Sequence, residues 1–256
     1  MSPKDVLHVS GLRMEFGGLV AVDGISFAVG PEEIFAIIGP NGAGKTTVFN
    51  CVSGFYKPTS GHVVFAGEAI TGRSSHEVAR RGIVRTFQNI RLFKNMTVLE
   101  NLLVGQHQQV DNNFLSGLLA LPRYRRMERE ALAKALFWLD RVGLREFANR
   151  QAGTLAYGHQ RRLEIARCMI TDPRLLLLDE PAAGLNPQEK IDLQRMIDRL
   201  RRENHIAVLL IEHDMRLVMD VSDRILVMEY GRPIATDTPE RIQKDERVIK
   251  AYLGED

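Results

Sequence analysis

Gly39-Pro40-Asn41-Gly42-Ala43-Gly44-Lys45-Thr46 is the stretch that decides how this chain is read. Two glycines enclose four residues, and a lysine and a hydroxyl residue follow, which is the pattern of a phosphate-binding P-loop. Glycines let the backbone curl until successive amide hydrogens point inward at phosphate. Lys45 adds a point charge for terminal phosphates, and Thr46 offers an oxygen to Mg²⁺. The preceding residues, Ile34-Phe35-Ala36-Ile37-Ile38, read as a buried strand. The following ones, Thr47-Val48-Phe49-Asn50-Cys51-Val52, read as a helix whose positive end faces the phosphates. Strand, loop and helix stand in the order that phosphate binding requires.

Outward from the loop, the N-terminal thirty residues predict short antiparallel strands turning at Gly17-Gly18, with residues 25–29 alternating before a Gly30-Pro31 break. Residues 63–65 predict another short strand, and Ser74 with Glu77 a capping box for a helix ending near Arg80. Residues 83–87 read as a strand ending at Gln88. From about Asn89 the character turns helical. Thr97 and Glu100 form a second capping box, a loop covers residues 111–122, and Ala131, Leu132, Ala135, Leu136, Leu139 and Val142 trace an amphipathic helix stopped by Gly143. The α/β pattern then resumes. Leu175-Leu176-Leu177-Leu178 is a strand buried on both faces, Asn186-Pro187 starts a helix, and residues 206–211 form another buried strand. Residues 225–228 and 233–235 flank Gly231 as a hairpin, with helices near Pro239 and Glu246.

Composition sets outer limits. The 256 residues carry 34 basic and 32 acidic side chains, a formal charge of +2, which offers no general attraction for nucleic acid. Arg123, Arg125, Arg126 and Arg129 are interrupted by acids and fit a solvated helix. Cys51 and Cys168 have no metal-ligand spacing and suit a reducing compartment. The opening Met-Ser-Pro-Lys-Asp predicts no signal peptide, and no apolar run approaches the ~18 residues that span a bilayer.

Two further segments narrow the chemistry. The leucine strand runs into Asp179-Glu180. A carboxylate at that strand end can hold Mg²⁺, and its neighbour can polarise an attacking water. Upstream, Leu155-Ala156-Tyr157-Gly158-His159-Gln160-Arg161-Arg162-Leu163 opens an amphipathic helix.

With these on view, the chain resembles the ATP-binding-cassette (ABC) ATPases over nearly its whole length. The resemblance implies an α/β fold of the P-loop NTPase class and ABC type. Its mixed-sheet core would carry an N-terminal antiparallel β subdomain and an inserted helical subdomain. The expected divisions are 1–88 for the strands and P-loop part, 89–158 for the helical insertion, and 159–256 for the rest. The resemblance implies that Phe16 stacks on adenine and Ala21 walls that pocket. Residues 39–47, Gly39 through Thr47, hold the phosphates. Thr46, Gln88 and Asp179 serve Mg²⁺. Glu180 is the base, with His213 and Gln88 placing the water. Residues 155–159 correspond to the family's LSGGQ signature, with Ala156, Tyr157 and His159 departing from it. Ala156, Gly158 and His159 would complete the ATP site of an opposite subunit.

A narrower resemblance is to the ATP-binding subunits of high-affinity branched-chain amino acid importers. It rests on residues 16–22, 155–167 and 181–187 and the ending 251–256. It implies two permease subunits, a second cassette (identical or related), a periplasmic binding protein and a place on the cytoplasmic face of a bacterial inner membrane. Ile90, Leu92, Phe93 and Met96 lie where relatives receive a permease helix, or else pack within the helical insertion. Other cargoes also remain open: urea, amides, other amino acids or exported lipopolysaccharide. So does a soluble, non-transport ABC ATPase.

Overall fold

Apolar runs without polar alternation become strands covered on both faces. The computed structural model describes residues 5–106 and 122–253. In it β3 (Ile34–Ile38), β7 (Leu175–Asp179) and β8 (Ala207–Ile211) are buried along their whole length. The described residues form two compact units. The first runs up to Gln88, takes in Arg174–Ala183, and resumes at Lys190. The second is Asn89–Pro173 with Gly184–Glu189.

The first unit holds both sheets. One has six strands in the order β10 (Arg232–Asp237), β9 (Arg224–Glu229), β3, β8, β7, β6 (Ile83–Arg85). All neighbours are parallel except β10 on β9, so the predicted hairpin forms the antiparallel edge of a parallel sheet. The other is antiparallel, in the order β2 (Leu19–Val29), β1 (Leu7–Phe16), β4 (Ser60–Phe65), β5 (Glu68–Ala69). Leu7, Val9, Leu12 and Met14 of β1 point into a core shared by the two sheets, where Phe27 stacks on Phe35 at 5.1 Å. Helix α1 (Lys45–Val52) leaves β3 through the P-loop. Helix α2 (Ser75–Arg80) starts on the expected capping box, Glu77 N–H donating to Ser74 Oγ at 3.4 Å and Ser74 N–H to Glu77 Oε2 at 3.0 Å.

The second unit is built on α3 (Val98–Gly105), α4 (Pro122–Arg141) and α5 (Tyr157–Met169). Thr97 and Glu100 cap α3 reciprocally. Buried Asn101 ties the preceding turn to α3, bonding both the N–H and the C=O of Phe93. Val98, Leu102, Trp138, Leu139 and Leu163 are buried apolar residues of this unit.

Three expectations change. The strand predicted over 83–87 stops at Arg85, after which only Thr86 N–H still reaches Leu177 O, at 2.9 Å. Phe87 then sets its ring edge-on to Phe55, so Gln88 lies three residues past the strand rather than at its end. The helical unit does not close at residue 158, which falls in the first turn of α5. It continues to Pro173 because α5 is one unbroken helix packed on α3, where Gly105 leaves only 3.0 Å between an added Cβ and Arg167. Finally, Pro122 opens α4, and the rest of the loop predicted for 111–122 lies outside the described residues, as does the N-terminal tetrapeptide. Among the described residues no helix is long and apolar enough to cross a membrane.

Candidate functional site

Two of the three P-loop glycines have a steric reason. Gly39 sits at φ +151°, and a Cβ there would come 2.0 Å from Met228 O. Gly44 sits at φ +93°, where a Cβ would meet Ala21 O at 2.4 Å. The backbone of Ala21 therefore presses on the loop, and no side chain fits between them. Asn41, Gly42 and Thr46 are exposed, Ala43 is buried beneath, and Pro40 and Thr47 are half-buried. Lys45 is nearly buried, and its ammonium donates to Gly39 O at 2.7 Å and Pro40 O at 2.9 Å. Burial pulls its pKa down, while the carboxylates of Glu180 and Asp179 pull the other way. Phe16 ends β1, 40% exposed as a residue, with its ring edge-on to Tyr56 at 5.3 Å.

The carboxylates come from the sheet. β7 delivers Asp179 as its last residue, and Glu180 follows in the left-handed region at φ 47°, its N–H held by Ile211 O at 2.9 Å. A non-glycine residue there stores strain of order 1 kcal/mol, which the surrounding bonds must hold. Gln88 Nε2 donates to Glu180 Oε2 at 3.1 Å, and His213 Nδ1 lies 3.7 Å from the same oxygen. Three residues singled out separately in the sequence thus meet at one carboxylate in one unit. Asp214, the next residue, caps α7 (Met215–Val221) and pairs with Lys190 at 2.6 Å.

Sequence reasoning missed two neighbours of this group. Arg85 donates to Asp179 Oδ2 at 2.6 Å, with the two side chains only 6% and 7% exposed. Its other terminal nitrogen reaches Asn50 Oδ1 at 2.6 Å, and the guanidinium lies over the rings of Phe49, Phe55 and Phe87. Removing one partner of a buried pair leaves an uncompensated charge, at a cost of about 3–5 kcal/mol. The Arg85→Met protein is accordingly expected to lose that much stability in denaturant unfolding, whereas losing an exposed pair such as Arg126–Glu130 should leave the midpoint nearly unmoved. An unshifted midpoint for Arg85→Met would show that Asp179 finds another partner. The second missed neighbour is Glu212, a fully buried carboxylate one residue before His213.

The oxygen donors suit the metal that the resemblance implies. Thr46, Gln88 and Asp179 offer a hydroxyl, an amide and a carboxylate, a hard set appropriate to Mg²⁺. Among the described residues no three His, Cys, Asp or Glu side chains gather as a metal cage.

In the second unit Ala156 is the N-cap of α5 and provides no side-chain bond. A serine there is expected to add about 0.5–2 kcal/mol, so the Ala156→Ser protein should melt at a higher temperature in calorimetry; no change would mean that the N–H groups of this helix end are already satisfied. Tyr157 accepts a hydrogen bond from the buried Arg161 at 3.2 Å and lies under Gly184, where a Cβ would meet its ring at 3.2 Å. Arg161 in turn pairs with buried Glu164 at 2.8 Å. Gly158 leaves room for Glu189, whose Oε1 would be 2.6 Å from an added Cβ. Glu189 also closes the cap of α6 (Pro187–Asn204): its N–H donates to Asn186 Oδ1 at 2.9 Å, and Asn186 N–H to its Oε2 at 3.0 Å. His159 packs its ring against Phe147 at 5.1 Å.

Comparison with known proteins adds the following. A family model described as ABC transporter matches residues 22–183, and one described as branched-chain amino acid ATP-binding cassette transporter matches residues 232–256. The chain is 60% identical over 252 residues to the high-affinity branched-chain amino acid transport ATP-binding protein BraF of Pseudomonas aeruginosa, covering 98% of this chain and 99% of that protein. It is 57% identical to LivG of Escherichia coli, of the same description, covering 98% of each. A probable LivG of Archaeoglobus fulgidus is 37% identical, covering 97% of this chain and 95% of that one. Among solved structures, a nucleotide-free ATP-binding cassette superposes with a TM-score of 0.85 at 33% identity, covering 98% of this chain and 100% of the other. An ATP-binding cassette in its ADP conformation gives 0.85 at 34% identity, covering 98% and 99%.

Proposed function

The chain belongs to the ATP-binding-cassette transporter family, and on that premise we propose that it hydrolyses ATP to drive an importer of leucine, isoleucine and valine. Identity of 60% and 57% to subunits so described, over nearly full length, supports the cargo. The convergence of Gln88 and His213 on Glu180 carries the chemistry.

In this reading the loop amides and Lys45 hold the β- and γ-phosphates, and the exposed ring of Phe16, with Ala21 beside the loop, receives adenine. Thr46, Gln88 and Asp179 would hold Mg²⁺, which when bound neutralises phosphate charge. Glu180 takes the proton of the attacking water, Gln88 fixes the carboxylate, and His213 bridges towards the γ-phosphate. Two cassettes pair head to tail, each capping the other's nucleotide with Ala156, Gly158 and His159 at the positive end of a helix. The partner cassette is a second copy or a related chain.

Two integral-membrane permeases would hold the cassette at the cytoplasmic face of a bacterial inner membrane, with a periplasmic binding protein selecting cargo. Phe93, 48% exposed, and Met96 offer apolar surface to a permease helix, flanked by Ile90 and Leu92.

The test is reconstitution with the permeases in vesicles. Leucine-loaded binding protein should stimulate both ATP hydrolysis and leucine uptake; stimulation by urea or an unrelated amino acid alone would replace the cargo reading. In the same vesicles Leu92→Cys or Phe93→Cys should crosslink to a permease loop. Burial pushes the native Cys51 thiol up to about 11, which keeps it protonated and slow to react. Absence of a crosslink in every nucleotide state would assign these residues to the cassette's own packing.

A further inference from the structure

Glu212 is a fully buried carboxylate that no step above uses. β7 and β8 are parallel neighbours with Asp179 opposite Ile211, so the chain leaves both strands at the same level. One exit carries Glu180, Pro181 and Ala182, and the other carries Glu212, His213 and Asp214. Backbone N–H groups at buried strand exits have left the ladder and need another acceptor. Glu212 supplies it to both exits. Its Oε1 accepts from Ala182 N–H at 2.7 Å, and its Oε2 from His213 N–H at 3.1 Å.

The residue type matters. A serine or threonine has one oxygen and reaches one exit; a glutamine has one acceptor and turns an NH₂ towards an N–H. Only a carboxylate presents an acceptor to each side. Burial pushes the Glu212 carboxyl pKa upward, and the backbone donors of Ala182, His213 and Asp214 oppose that push. An ionisable group kept in such a place needs a reason beyond core filling.

We propose that Glu212 is a positioning residue for ATP hydrolysis: its two oxygens tie the segment after Glu180 to the segment carrying His213, so the base and the histidine keep one mutual geometry. The inference rests on the roles given above to Glu180 and His213. Glu212 Oε2 lies 3.9 Å from His213 Nδ1, itself 3.7 Å from Glu180 Oε2, so a slip of either exit alone opens the contact between base and histidine. A misplacement of about 1 Å can cost about 10²-fold in rate.

The experiment compares Glu212→Gln and Glu212→Asp, the latter keeping the charge on a shorter arm, in the full-length protein. Fluorescent-ATP affinity and steady-state hydrolysis are measured, alone and combined with His213→Ala. Turnover is expected to fall about 10–100-fold while ATP affinity stays within about twofold, because only the geometry of reaction changes. In the His213→Ala background the Glu212 changes should add little. Parental turnover in a folded Glu212 variant overturns the proposal. So does loss of affinity in step with turnover, which marks a merely structural role, and so does full additivity with His213→Ala. A His213→Ala protein that hydrolyses normally sinks the histidine assignment, and the proposal with it, by a separate readout. Should both Glu212 variants fail to fold, amide exchange in the unaltered protein decides. The Ala182 and His213 N–H groups should open at one common rate, and independent rates overturn the coupling.

Discussion

The Glu180→Gln protein is expected to bind ATP as tightly as the parent and to hydrolyse it about 10²–10⁴-fold more slowly. Glutamine matches glutamate in shape, so the left-handed backbone at φ 47° and the N–H bond to Ile211 O are kept. What disappears is the proton acceptor. An amide oxygen can still take the Gln88 hydrogen bond, seen at 3.1 Å on the carboxylate, but it cannot take a proton from water at neutral pH. With binding intact and the chemical step blocked, ATP should accumulate between paired cassettes, visible as an ATP-dependent dimer in light scattering. Near-parental turnover would remove Glu180 from the role of base. A Glu180→Gly protein separates the two features of this position. Relief of the left-handed strain should raise its stability by about 1 kcal/mol while abolishing hydrolysis, the trade expected where strain is stored at a reacting group.

Much of this site was legible because its chemistry is local in sequence. Phosphate recognition needs consecutive amides, so the P-loop is written in eight adjacent residues, and the strand and helix flanking it follow from apolar pattern. The same holds for Asp179 and Glu180, placed by the leucine run that becomes β7. The caps at Ser74, Thr97 and Asn186 are each written within four residues, and all three form in the structure.

What stayed hidden depends on partners distant in sequence. Arg85 and Asp179 are 94 residues apart, and Glu212 and Ala182 are 30 apart. Neither pairing leaves a local trace. The short β6 is another case: just past its end Phe87 meets the distant Phe55 edge-on at 5.7 Å, a contact that the apolar pattern does not record. At the signature, sequence comparison reads Tyr157 as a lost glycine. Packing gives it a bond from Arg161 and a seat under Gly184, so the departure is part of how the second unit is built. Consensus motifs record what ligands require; they are silent on what the neighbouring core requires of the same positions.

Lys45→Ala is expected to weaken ATP binding about 10- to 100-fold and to lower turnover by about 10²–10³-fold. A hydrogen bond to a charged group contributes about 1.5–3 kcal/mol, and each 1.36 kcal/mol is tenfold. Lys45 carries a second role that complicates the loss. Two of its three N–H donors hold Gly39 O and Pro40 O, so the ammonium braces the loop, and in the proposed role the third would meet a phosphate oxygen. Removing it deletes a charge and slackens the curl that aims the amides. Lys45→Met and Lys45→Arg distinguish these effects. Methionine keeps most of the packed stem without charge; arginine keeps the charge but forces a planar fork into a space shaped for a compact ammonium. If charge dominates, Met should bind ATP as weakly as Ala, and Arg should recover affinity more than turnover. If the bonds to Gly39 O and Pro40 O dominate, Met, which has no donor, should again bind as weakly as Ala, and Arg, whose planar fork does not reproduce both bonds, should be no better than either. The pH response carries a sign as well. Burial pulls the Lys45 pKa down, so raising the pH should discharge this lysine before an exposed one. A bound polyanion favours the charged form, so the loss of ATP affinity should set in at lower pH than the loss of charge in the nucleotide-bound protein. An alanine variant that binds and cleaves ATP like the parent would contradict the phosphate role of the loop itself.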